Sequence, residues 1–181
     1  YIYKYVSIMA NRQKAKGSTF EREIANDLTE RYGEKFIRTP GSGAYVGGKN
    51  AVRRDFLHEG TIRIMKGDII VPPDFGRLCI ECKSYKGFPF HQLLQQGTVR
   101  QLEEWIEQLV DSADPDDIKL LFMKFNNVGK YVAAEADRTF RYHRGITYNS
   151  PKNNQWIFTG YTDFFNLNQE LLQILAQPKL S

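Results

Sequence analysis

The chain is poor in cysteine and histidine and has no long apolar run. Two cysteines in 181 residues cannot build a disulfide framework, so a reducing compartment, the cytoplasm, is expected. Cys79 and Cys82 have C-x-x-C spacing, yet residues three apart on a strand face opposite sides. No second Cys or Cys/His pair completes a zinc site, and two small buried apolar side chains are the expectation. His58, His91 and His143 are scattered without metal-pair spacing. Nothing approaches the ~20 apolar residues of a membrane span. Residues 1–8 are apolar and aromatic but short and without a small-residue cleavage site, so they do not read as a signal peptide. Met9-Ala10-Asn11 has the form of a translation start, which would set residues 1–8 apart. No G-x-x-x-x-G-K-[ST] loop occurs, so no nucleotide cofactor is expected. Internal repeats and low-complexity tracts are lacking too.

What remains is ordinary globular material, 41% hydrophobic and 25% charged, enough for one domain with a sizeable core. The expected organisation is an N-terminal extension over residues 1–15, possibly flexible, and a single domain over 16–181. The net charge of +4 is unevenly spread. Residues 1–66 carry 13 Lys and Arg against 7 Asp and Glu, whereas residues 67–181 carry 12 against 14. A basic first third suits a phosphate backbone as partner; a mixed solvated surface is the plainer alternative.

Helical spacing of Phe20, Ile24, Ala25 and Leu28 predicts a helix to about Arg31. Ser18 is its expected N-cap with Glu21 as capping-box partner, and Gly33 its C-terminal stop. Residues 36–38, 68–71 and 78–83 read as strands, the last two joined by the turn cluster Pro72-Pro73-Asp74-Phe75-Gly76. Residues 93–110 read as a second helix, with Leu102, Trp105, Ile106 and Leu109 on one stripe and Gly97 interrupting its first part. Residues 119–125 and 130–136 form a hairpin, 156–161 a strand and 168–176 a terminal helix. This order is α/β, with a central mixed β-sheet flanked by helices.

The most informative run is Ile80-Glu81-Cys82-Lys83 after Gly67-Asp68. Residues two apart on a strand share a face, so Glu81 and Lys83 point together. With Asp68 at the end of a neighbouring strand, two carboxylates and an ammonium converge. Such a set suits a hard divalent cation with oxygen ligands, Asp68 and Glu81 binding directly and the Cys82 backbone carbonyl adding an oxygen. The alternative is a salt-bridged, exposed strand face. Apolar neighbours Ile69, Ile70, Val71, Leu78 and Ile80 argue that these strands are buried, where charges are expensive unless paired or metal-bound. At about 100° per residue, Glu21 lies roughly 35° from the centre of the first helix's apolar face and Glu23 roughly 125° away. Glu21 is therefore the third candidate carboxylate and Glu23 faces solvent. Gln101 on the second helix is a weaker candidate to reach the site.

Four motifs in order resemble one family: Lys16-Gly17-Ser18-x-Phe20-Glu21-Arg22-Glu23, Arg38-Thr39-Pro40-Gly41-Ser42-Gly43, Gly67-Asp68-Ile69-Ile70 and Ile80-Glu81-Cys82-Lys83. They are similar to the archaeal-type Holliday junction resolvases and phage relatives, within the PD-(D/E)xK nuclease superfamily. Residues 123–135 resemble the family's second half. The resemblance implies a restriction-endonuclease-like core and a homodimer acting in DNA recombination and repair. It implies Mg²⁺-dependent hydrolysis (Mn²⁺ substituting) of two opposing strands of a four-way DNA junction, in the host cytoplasm for a phage protein. Carried over by motif, Glu21, Asp68, Glu81 and Lys83 are catalytic. Arg22 and Arg38 fall at DNA-contacting or site-supporting positions, and Ser42 at a position tied to junction cleavage or simply in a turn. The chain departs from the compact pattern by 23 residues between Gly43 and Gly67. Loops longer than ~15 residues are usually functional or disordered. Lys49, Arg53, Arg54, Arg63 and Lys66 make this insertion, at about 44–66, an expected DNA-contacting arm, with dimer packing or a flexible loop as alternatives. Arg138, Arg141, His143 and Arg144, interleaved with Phe140 and Tyr142, form a second candidate DNA contact or a basic edge strand. Two other readings stay open: a restriction-like or recombination nuclease acting on duplex or flapped DNA, and a non-catalytic DNA-binding module of the same fold.

Overall fold

The computed structural model describes residues 2–40, 66–95, 97–136 and 139–179, with side chains from Gly17 onward. Helix α1 spans Ile2–Tyr32 without interruption, so the expected start at Ser18 is corrected. No proline occurs before Pro40, and a single interior glycine such as Gly17 costs a helix only about 1 kcal/mol. Ser18 instead accepts from Arg22, at its carbonyl (3.1 Å) and its hydroxyl (3.3 Å). Gly33, at φ +71°, ends the helix as expected.

Strand β1 (Ile37–Arg38) pairs antiparallel with β2 (Ile69–Ile70). The main sheet contains β3 (Leu78–Tyr85), β4 (Ile118–Phe125), β5 (Gly129–Glu135), β6 (Ile146–Asn149) and β7 (Gln155–Gly160). Their order is β3-β4-β5-β7-β6. Only β3 and β4 run parallel, which requires a crossover. That crossover holds α2 (Phe90–Leu94) and α3 (Arg100–Ser112); α4 (Tyr161–Ala176) follows β7. The sheet is mixed and flanked by helices on both faces, as expected.

Period-2 alternation sorts the sheet into two cores. Leu78, Ile80 and Cys82 of β3 join α1 and α4 on one side, while Cys79 joins α3 on the other. The two cysteines are free and buried in different cores, which excludes their acting as a pair. Phe20, Ile24, Ala25 and Leu28 of α1 are all buried, as their spacing requires.

Three boundaries differ from expectation. The second helix is split into α2 and α3, and Gly97 lies in the break. Helix α4 begins at Tyr161 rather than 168, because Tyr161, Phe164 and Phe165 continue the buried stripe of Asn168, Leu172 and Ala176. Strand β6 was not expected; it is four residues long, with Tyr148 buried and Ile146 half-buried on the same face. Ahead of it, the described residues of 139–145 are irregular. Phe140 packs edge-on against Phe164 at 5.1 Å and Tyr142 leans on the same ring, so these aromatics face the core instead of bases. Arg141, His143 and Arg144 are exposed, and Arg138 lies outside the described residues. Among the described residues no helix is long and apolar enough to cross a membrane.

One close approach ties β2 to the sheet. Gly67 forms a parallel bridge with Ile80 at φ +67°, a left-handed conformation that glycine adopts freely. A Cβ there would lie 2.2 Å from the Ile80 carbonyl oxygen, so no other residue fits. Gly67→Ala is expected to destabilise the protein by more than about 1 kcal/mol, read as a lower urea midpoint with an unchanged m-value.

Candidate active site

Asp68 immediately follows that bridge. Its N–H donates to Ile80 O (2.8 Å) and its carbonyl accepts from Thr39 N (2.8 Å). Its carboxylate accepts from the Cys82 backbone N–H, Asp68 Oδ2 to Cys82 N being 2.9 Å. Backbone and side chain of Asp68 are thus both fastened to β3. The expectation that Asp68 ends a neighbouring strand is nearly met: it stands one residue ahead of β2.

Glu81 and Lys83 share one face of β3, as period 2 requires. Lys83 Nζ donates to Glu81 Oε1 and to Gln108 Oε1 of α3, both at 2.6 Å. Two of its three ammonium protons are thereby used, leaving one. The other Glu81 oxygen, Oε2, is buried with no hydrogen-bond donor on it. The Asp68 and Glu81 carboxyls are close enough to repel each other electrostatically. Two carboxylates that close cannot both stay ionised without a shared proton or a cation.

Glu21 approaches from α1, and Arg38 of β1 donates to its Oε2 through Nε. Glu21, Asp68 and Glu81 are 5%, 3% and 1% exposed, so the exposed-face alternative fails. Burial raises the Asp68 carboxyl to about 7, with repulsion from Glu81 second. Burial also raises Glu81, opposed by Lys83, and raises Glu21, with Asp68 adding and Arg38 opposing. Three carboxylates stand beside two cations.

Does this set suit a divalent metal? Among the described residues no three His, Cys, Asp or Glu side chains gather tightly enough to form a ready-made cage. Glu21 is turned to Arg38. The Asp68–Glu81 pair, with a donor-free buried oxygen and mutual repulsion, has the hard-oxygen chemistry a divalent cation takes. The fit therefore rests on this pair.

The remaining site expectations divide. Arg22 is exposed and lines, with Arg38, Lys35 and Asn26, a surface groove of about 400 Å³. Lys66 is corrected: it is 2% exposed and bonded to Asp117 and, at 3.1 Å, to Asp114, so its ammonium is not offered to DNA phosphates. Ser42, Lys49, Arg53, Arg54 and Arg63 lie outside the described residues. Gln108 was missed. It falls on the same flank of α3 as Gln101, two turns along, and residue spacing does not say which turn meets Lys83. Glu23 is not free in solvent: Lys124 (2.6 Å) and Lys130 (3.2 Å) hold it on the β4–β5 hairpin.

An Asp just ahead of β2 and a Glu-x-Lys on the edge strand β3, joined by a helix carboxylate, form the pattern of the PD-(D/E)xK superfamily. The chain belongs to the family described as "Phage putative PDDEXK endonuclease", whose model matches residues 12–170. It is similar to Protein D14 of Escherichia phage T5, 32% identical over 103 residues, 55% of this chain and 56% of that protein. The chain thus spans about half the length of this curated relative. No solved structure matches. The family is described as one of endonucleases, and PDDEXK nucleases generally use divalent metals.

The raised Asp68 fixes the sign of a stability effect. A carboxyl whose folded value exceeds its unfolded value binds more protons when folded. Without metal, stability then falls as pH rises from about 4 through 7. Asp68→Asn is expected to stabilise the metal-free protein at pH 8 by on the order of 2 kcal/mol, measured by urea unfolding in EDTA, with the gain vanishing at pH 4. Gln108→Leu removes one anchor of Lys83; cutting is expected to fall about tenfold with DNA affinity unchanged, by single-turnover kinetics and filter binding.

Proposed function

We propose that the protein is a Mg²⁺-dependent, structure-selective endodeoxyribonuclease that resolves four-way DNA junctions, as a homodimer, by paired symmetric cuts. The observation that carries the chemistry is the buried Asp68–Glu81 pair with Lys83 beside it. The junction preference rests on the four ordered motifs that resemble the resolvases.

Asp68 and Glu81 would hold the ion, with the Cys82 carbonyl as a further oxygen. A divalent cation bound there supplies positive charge that polarises the scissile phosphate and acidifies the attacking water. Lys83, braced by Glu81 and Gln108, directs its remaining proton toward the water or the phosphate oxygen on which charge grows. Arg38 opposes the upward push of burial on Glu21 and orients its carboxylate. The products are 5′-phosphate and 3′-hydroxyl ends.

Arg22 and Arg38 are the proposed backbone contacts among the described residues, and Lys49, Arg53, Arg54 and Arg63 the proposed contacts of the insertion. Selectivity then comes from junction shape and phosphate charge instead of base edges. Two sites in a homodimer would act on strands of matching polarity. Two buried thiols without a disulfide agree with the reducing host cytoplasm as the place of action.

Asp68→Asn and Glu81→Gln are each expected to lower cutting by at least about a thousandfold while junction binding survives, measured by gel assay and mobility shift. The deciding experiment compares a synthetic four-way junction with linear duplex of the same arm sequences in Mg²⁺. Preferential, symmetric nicking of the junction supports the proposal. Equal rates overturn the junction reading in favour of a duplex or flap nuclease. Tight, salt-sensitive junction binding with no nicking in Mg²⁺ or Mn²⁺ makes the protein a binding module.

A further inference from the structure

A lysine buried as completely as Lys66 is expensive unless its charge is answered. The answer comes from one turn, the segment between α3 and β4. Asp117, itself 3% exposed, receives the Lys66 ammonium and also accepts from Asp114 N at 2.7 Å. Asp117 N donates back to Asp114 O at 3.0 Å, so the turn is closed on itself and presents a fixed anchor. Asp114 Oδ2 adds a second contact to Lys66 at 3.1 Å.

Two residues later stands Asp68. Between them is Gly67, wedged under the Ile80 carbonyl at a distance no side chain tolerates. From Lys66 to Asp68 the chain is therefore held at both ends, by an ion pair in the α3–β4 turn and by the Asp68 bonds to Ile80 and Cys82. We infer that Lys66 is a positioning residue for Asp68: its buried ion pair with Asp117 and Asp114 sets where the Lys66-Gly67-Asp68 segment crosses β3, and so delivers the Asp68 carboxylate onto the Cys82 amide beside Glu81. Lys66 touches neither metal nor DNA. Its link to catalysis rests on the reading of Asp68 as a metal ligand; its link to the placement of Asp68 does not.

The geometry offers a reporter free of metal and activity. The Cys82 N–H is bonded to the Asp68 carboxylate, so its exchange with solvent follows that carboxylate. The test uses the full chain carrying Lys66→Met together with Asp117→Asn. This double variant removes both charges of the pair together and keeps an acceptor for Asp114 N. Amide exchange by NMR is expected to be about tenfold faster at Cys82, with the β4–β5 ladder unchanged. Calorimetric titration with Mn²⁺ in the absence of DNA is expected to show about tenfold weaker binding. A folded double variant with wild-type Cys82 exchange overturns the inference, as does acceleration shared equally by all sheet amides. If the double variant does not fold, Asp114→Asn, at a side chain 38% exposed, replaces it. About threefold faster Cys82 exchange is then expected, and no change overturns the inference. Wild-type protein that binds no Mn²⁺ would sink the metal reading alone, and the Cys82 amide would still decide the role of Lys66.

Discussion

Three carboxylates withdrawn from water beside two cations are the constraint on which the rest of this structure depends. Left alone, such a set would spread apart or take up protons. It is held by contacts that leave little freedom. The Asp68 backbone bonds to both Thr39 and Ile80, and its side chain to Cys82. Lys83 is spanned between Glu81 and Gln108, and Glu21 is held by Arg38. The two cores, α1 and α4 on one face and α3 on the other, keep β3 rigid enough for this. The repulsion is thus held in the fold, and on the proposed reading a cation between Asp68 and Glu81 would relieve it.

A second buried cluster shows the contrast. Lys66 and Lys119 face Asp117 and Glu135, all under a tenth exposed. Among the described residues the buried charges of this cluster balance, two against two, with the more exposed Asp114 at the margin. A balanced buried cluster fixes geometry; an acid-rich one invites a ligand. The balanced cluster sits at β4, β5 and the turn before β4, the acid-rich one at β3, and the short segment from Lys66 to Asp68 connects them.

Much of this was legible from spacing alone. Period 2 placed Glu81 with Lys83 and set Cys79 against Cys82, and the helical angle put Glu21 toward the core. These readings succeed because they need only local geometry. The misreadings share the opposite property. The start of α1 was misplaced because Ser18 and Glu21 match a capping box, yet nothing upstream breaks the helix. The start of α4 was lost because Tyr161, Phe164 and Phe165 suit a strand as well as a helix stripe. Lys66 resembled the other cations of its basic stretch, and only tertiary packing brings Asp114 and Asp117 to it from about fifty positions away. Gln108 was hidden for a similar reason, since the lie of α3 on the sheet decides which glutamine meets Lys83.

The groups of the candidate site come from five separated stretches of chain: Glu21 on α1, Arg38 on β1, Asp68 ahead of β2, Glu81 and Lys83 on β3, and Gln108 on α3. No fragment ending before α3 contains the complete set, and none assembles until α1, the edge of the sheet and α3 have docked. On the proposed nuclease reading, a nascent chain that stops short of α3 is harmless to the genome around it. The capacity to break a nucleic-acid strand then arrives only with the assembled tertiary structure.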